Sequence, residues 1–201
     1  MLGDAYVGGQ ATVYGRAIIG GQAEVLEEAK IYGRARILQD AQIYSNSRIC
    51  GGAVIWGDII IGKYKANILI DQAIDVQYGY LDDSTIRSII KCSLNIVPDS
   101  KGCYHFYKKV DKIEEKDGEI IFGSLHDIEF TYRIGQTIEL KEGEYDEDSS
   151  HSCSSGLHVS TPTHWLAGDS LLLVEVYESD IITCLEGKVR CKKLKVLDEI
   201  K

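Results

Sequence analysis

The sequence predicts a mainly β protein in two parts, a coiled solenoid of about three turns followed by a small α+β domain. Two observations predict it. Alanine recurs every six residues at 5, 11, 17, 23, 29, 35, 41 and 53, Ser47 fills the one gap, and a β-branched aliphatic stands two places after each, from Val7 to Ile55. A six-residue period is neither the 3.6 of a helix nor the 2 of a strand, so it describes one side of a coil that winds back over itself. From residue 101 the pattern changes to short apolar runs separated by turn residues, the signature of strands. The expected divisions are a solenoid over 1–63, a connecting segment over 64–100 and a C-terminal domain over 101–201.

In frame, the hexads read VGGQAT, VYGRAI, IGGQAE, VLEEAK, IYGRAR, ILQDAQ, IYSNSR, ICGGAV and IWGDII. They resemble the hexapeptide repeat of left-handed parallel β-helices across about 60 residues without an insertion. The aliphatic points inward at the middle of each side. Alanine points inward near a corner, where only a small side chain fits. Glycine at 9, 15, 21, 33, 51 and 57 relieves the backbone at the turns. Tyr14, Tyr32 and Trp56 fall outside the core set, and they define the expected oligomer face. A short solenoid has open ends and a small core, so it needs caps or partners. The resemblance implies a homo-oligomer, a trimer first. It also implies an acyltransferase as one enzyme reading, although residues 1–104 hold no histidine to serve as its base.

In the connecting segment, Asp82, Asp83 and Ser84 stand where an N-cap would open a short helix over TIRSIIKCS. Ile86, Ile89 and Ile90 fit a strand as well, and the sequence leaves both open. The PDSKG run at 98–102 is a turn and a domain joint.

Composition excludes several functions. The net charge of −9 argues against general nucleic-acid binding, which needs a cationic face for phosphates. No run approaches the roughly 20 apolar residues of a membrane span, and the N-terminus lacks the features of a signal peptide. The six cysteines are accordingly expected as reduced thiols in a cytoplasmic protein, the host cytoplasm if the chain is phage-encoded.

The C-terminal part reads as strands with one helix near 161–167, and the acidic stretch 142–151 reads as a loop rather than a cation site. Its most specific string is CSSGLHV at 153–159, with YHFYKKV upstream and FTYRIGQTIEL between. Together these resemble a domain of tailed-bacteriophage proteins, found in the C-terminal part of rapid-lysis B proteins and fused to some phage pentapeptide-repeat proteins. The resemblance spans roughly 103–198 and implies a phage or prophage origin without carrying a settled activity.

Cys153 and His158 admit three roles: structural, part of a binding pocket, or a nucleophile–base pair oriented by Asp148 or Asp169. His151, Cys153, His158 and His164 lack the spacing of a zinc site, so no metal or cofactor is expected. GLHVSTPTHWLAG has a strand-then-helix shape faintly like the NAD-binding core of ADP-ribosyltransferases, with Glu175 or Glu178 as the only candidate for their glutamate. The reading that follows is binding rather than catalysis: a host factor or a nucleotide-like anionic small molecule, in a counter-defence setting. Lys108, Lys109, Arg133, His158 and His164 are the candidate binding residues, and Cys153, His158 and Glu175 the weaker catalytic ones. A structural component of the phage particle is the remaining class.

Overall fold

The computed structural model describes residues 1–63, 68–70, 74–77, 79–81, 85–116, 119–127, 129–149, 151 and 153–200. The chain divides into two compact units. The first is Met1–Asn95 with Ser150–Ser152 and Cys184–Gly187, and the second is Ile96–Ser149 with Cys153–Thr183 and Lys188–Lys201.

In the first unit nearly every hexad contributes a two-residue strand, and the strands stack into three parallel sheets of five, five and four. Each sheet is one side of the coil. One side runs through Ile18–Gly21, Arg36–Ile37 and Val54–Ile55, the next through Glu24–Val25 and Gln42–Ile43, and the third through Thr12–Val13, Lys30–Ile31 and Arg48–Ile49. Ladder bonds such as Tyr14 N–H to the Ile31 carbonyl and Tyr32 N–H to the Ile49 carbonyl, both 3.0 Å, tie one coil to the next. The aliphatic and alanine columns from Ile19 to Ile61 are buried, with Ser47 in the alanine column as the period demands.

The coil count is the first correction: the stack makes about four turns, not three. Strands at Leu69–Ile70, Asp75–Val76 and Tyr80–Leu81 pair in parallel with Arg48–Ile49, Val54–Ile55 and Ile60–Ile61. The hexad breaks there while the coil continues. Ile49 pairs with Ile31 eighteen residues back, whereas Ile70 pairs with Ile49 over a span of twenty-one. Ile68, Ile70, Ile74, Val76 and Leu81 still fill the core.

The helix Ile86–Leu94 follows, which decides between the two readings of that segment. Thr85 is its N-cap, accepting the Ser88 amide, and Asn95 closes it in the left-handed conformation. Asp82, Asp83 and Ser84, the expected cap, lie outside the described residues. Ile89 and Cys92 pack on the solenoid core, and the Gln77 amide bonds the Cys92 carbonyl at 2.9 Å, so the helix covers the last coil. The first coil has no such cover among the described residues: Ala5, Val7, Ala11, Val13 and Ala17 are only partly buried.

The second unit is antiparallel. A six-stranded sheet runs in the order Thr131–Tyr132, Glu119–Gly123, Cys103–Lys116, Ser170–Tyr177, Lys193–Ile200, Thr137–Glu139. Leu157–Val159, Lys188–Cys191 and Ile181–Leu185 form a three-stranded sheet. Alternation along Ser170–Tyr177 buries Leu172, Val174 and Val176 against Tyr104 and Phe106 of the neighbouring long strand.

The helix expected over 161–167 is absent; the C-terminal part is antiparallel sheet, and the one α-helix among the described residues is Ile86–Leu94. Pro162 occupies the second position of a β-turn closed by the His164 amide on the Thr161 carbonyl at 3.3 Å. Proline there supplies the turn's φ, and Gly168 at φ 98° ends the stretch before it could wind further. The strand-then-helix shape that suggested an ADP-ribosyltransferase core is therefore missing.

Candidate ligand-binding cleft

Two long-range contacts of the second unit bring the site residues together. Tyr107 and Ser160 exchange backbone hydrogen bonds of 2.8 and 2.9 Å, which pins the strand Leu157–Val159 beside the long strand Cys103–Lys116. Arg190, only 1% exposed, reaches the Asp148 carbonyl at 2.5 Å and the Asp146 carboxylate at 3.9 Å. Asp146 in turn accepts the Ser154 hydroxyl at 2.6 Å, and its amide bonds the Ser155 carbonyl at 3.0 Å. The acidic stretch thus folds over a buried cation and carries the CSSGLH string with it. Gly156 has a physical reason to be glycine: its φ is 144°, and a Cβ there would stand 2.8 Å from Arg190 Cγ.

Between these elements lies a cleft of about 470 Å³ lined by Lys108, Lys109, Lys188, His158, Cys153 and Trp165, with Tyr132, Phe130, Leu125, Leu140 and Leu157 as apolar wall. That volume is in the usual range of ligand sites, about 300–1,000 Å³.

Lys108 lies on the core-facing register of its strand, alternating with Phe106 and Val110. Its ammonium donates to the His158 carbonyl at 3.0 Å and stands 5.2 Å from the Tyr132 ring centroid. Burial penalises the charged form, and the pKa falls to about 8. Lys109 reaches the Gly168 carbonyl at 3.4 Å. Neither lysine pairs with a carboxylate among the described residues. Asp127 and Glu144, the carboxylates of the lining, are exposed and accept the backbone amides of Glu129 and Lys141. The cleft is therefore cationic although the chain as a whole is acidic.

His158 is held neutral. Burial, then Lys108, Lys188 and Arg190, push its pKa down to about 4 against a bond to the Gly156 carbonyl. Its Nε2 is buried and has no hydrogen-bond partner among the described residues, and the same is true of Trp165 Nε1. The nucleophile–base pair is accordingly not formed: His158 Nε2 makes no hydrogen bond to Cys153, whose sulfur accepts one from Lys188 at 2.9 Å.

Of the expected binding residues, Lys108, Lys109 and His158 meet in the cleft. Arg133 does not line it and faces Glu119 at 3.5 Å. His164 stacks edge-on against Trp165 at 4.7 Å and is half-buried behind it. Glu175 lies on the six-stranded sheet between His105 and Lys195, away from the cleft lining. Asp169 accepts the Lys112 amide instead of orienting a base. Among the described residues no three histidine, cysteine or acidic side chains gather as a metal site would require.

The expected oligomer face needs a correction as well. Tyr14 and Tyr32 stack at 5.0 Å with rings parallel, but Trp56 follows a strand of a different side of the coil and bonds Asp75. Its spacing from Tyr32 is four hexads, and only a multiple of three returns to the same side.

The chain matches no known family, no curated protein and no solved structure. No helix among the described residues is long and apolar enough to cross a membrane. What the sequence reading missed at the site is Trp165, Tyr132 and Phe130. Tyr132 and Phe130 sit in the FTYRIG stretch already singled out, and Trp165 is one of only two tryptophans, adjacent to the named His164.

Proposed function

We propose that the protein acts by binding, with the cleft of the second unit taking a small anionic molecule and the left-handed solenoid joining copies into an oligomer. The observation that carries the reading is the pair Lys108 and Lys109, cationic side chains in a partly apolar cleft without a carboxylate partner among the described residues. Holding a desolvated ammonium on a core register is costly, and an arriving anion recovers that cost. The stacked tyrosines of the solenoid support self-association. The resemblance of the CSSGLHV region to a tailed-phage domain supports a role during infection, against a host factor or host-made small molecule.

Calorimetric titration with tripolyphosphate, citrate and nucleoside triphosphates tests the reading. At least one anion binds, and a Lys108→Met/Lys109→Met variant weakens it tenfold or more. If no anion binds the wild-type protein, the reading is wrong.

A further inference from the structure

Cys153 is the one exposed cysteine of the six, and its sulfur accepts a hydrogen bond from the Lys188 ammonium at 2.9 Å. Both residues are held where they stand. On the cysteine side, the Ser154 hydroxyl donates to the Asp146 carboxylate at 2.6 Å, and the Ser155 carbonyl accepts the Asp146 amide at 3.0 Å. On the lysine side, Lys188 opens the strand Lys188–Cys191, whose Val189, Arg190 and Cys191 pair with Val159, His158 and Leu157. The thiolate rather than the thiol is the nucleophile, and a cation in contact favours it. The other five sulfurs are buried, and burial pushes the thiols of Cys103, Cys184 and Cys191 up to about 11, 12 and 12. An oxidant from solvent thus meets a single thiol that is both accessible and beside a cation. A sulfenic acid formed there has no exposed thiol in the same chain to condense with, whereas the amine of Lys188 already touches the sulfur.

We propose that Cys153 and Lys188 are a peroxide-sensitive pair that closes into a covalent sulfur–nitrogen bridge. The thiolate attacks one oxygen of hydrogen peroxide: an S–O bond forms, the O–O bond breaks and hydroxide leaves. That hydroxide takes a proton from the Lys188 ammonium and becomes water. The free amine then attacks the sulfur. An S–N bond forms, the S–O bond breaks, and the oxygen departs as a second water with a proton from the amine. Sulfur gives up two electrons and the peroxide accepts them. The bridge ties the CSSGLH string to the strand Lys188–Cys191 and closes a long loop, so the oxidised second unit resists unfolding more than the reduced one. It stands apart from the anion-binding reading, since it needs no ligand in the cleft.

Peptide mass spectrometry of the full chain after treatment with hydrogen peroxide reads the bridge directly. The expected product is a joined pair of peptides, one holding Cys153 and the other Lys188, lighter than their sum by two hydrogens and separated again by dithiothreitol. Lys188→Arg keeps a cation beside the sulfur but offers no nucleophilic amine. It forms no joined peptide, its sulfenic acid accumulates, and dimedone labels Cys153 about tenfold more than in wild type. Peroxide also raises the urea midpoint of wild type and leaves that of Lys188→Arg where it was. If wild-type Cys153 stays unmodified, or ends as sulfinic acid or in a disulfide with no peptide joined to Lys188, the bridge is wrong. Equal dimedone labelling of wild type and Lys188→Arg overturns it as well.

Discussion

Along the strand Cys103–Lys116, Tyr104, Phe106 and Val110 face the core, and Lys108 occupies the matching place in that alternating series. A lysine on a core register is a poor choice for stability. Its folded pKa of about 8 lies below the unfolded value near 10.4, so below pH 8 the folded state carries the full cost of a desolvated charge. Between about 8 and 10.4 the unfolded chain binds more protons, and this group's contribution to stability rises with pH. Tyr132 and Cys191 act in the opposite direction at high pH, because burial raises both of their pKa values. Comparison with a variant therefore isolates the lysine. Lys108→Met is more stable than wild type by about 2 kcal/mol at pH 7, and the gap narrows steadily to pH 10. Urea unfolding of both proteins across that range measures it; a variant less stable than wild type at pH 7 would show that the ammonium is a net structural tie. This lysine was legible in YHFYKKV, where strict alternation puts it on the face of Tyr104 and Phe106. Its partner His158 was not legible, because it meets Lys108 only through the Tyr107–Ser160 bridge, a contact some fifty residues apart in the chain.

At the scale of elements, the hexad turn has a fixed backbone requirement. Glycines 9, 15, 21, 33, 51 and 57 have φ between 66° and 75°. Glu27, Gln39 and Ser45 occupy the same turn position at 58°, 59° and 56° without being glycine. Left-handed backbone costs an ordinary residue about 1 kcal/mol. Glu27 recovers part of that, because its carboxylate accepts the Ser45 amide one coil on at 2.6 Å. Among the described residues Gln39 shows no such bond. Gln39→Gly thus raises the stability of the solenoid by about 1 kcal/mol, and Glu27→Gly gives no gain. Denaturation midpoints of the two variants check the contrast, and equal gains would remove the role assigned to the Glu27 carboxylate. The period made these coils readable because each hexad repeats one environment. The fourth coil was hidden because its strands keep their register while the spacing between them changes, and only the stack beneath restores the frame. The absent helix at 161–167 shows the reverse error, a seven-residue stretch read for shape while Pro162 already marked a turn.

For the whole molecule, a net charge of −9 opposes self-association, so an oligomer needs a defined apolar or aromatic face. The column of Tyr14 and Tyr32 supplies one: Tyr14 is 54% exposed, and the two rings lie parallel at 5.0 Å. Such a stack offers flat aromatic area that is already ordered, which lowers the entropy lost on docking. If copies assemble through this column as proposed, the expected outcome is a wild-type trimer in light scattering at physiological salt. Tyr14→Glu/Tyr32→Glu places two carboxylates at the contact of every copy and converts it to a monomer. The β signal in circular dichroism stays unchanged, since both side chains lie outside the buried columns. A trimer that persists in the double variant moves the contact elsewhere, and the partly open first coil around Ala5, Val7 and Val13 becomes the next place to mutate. A wild-type monomer removes assembly altogether but leaves the cleft intact, because every residue of its lining belongs to the second unit.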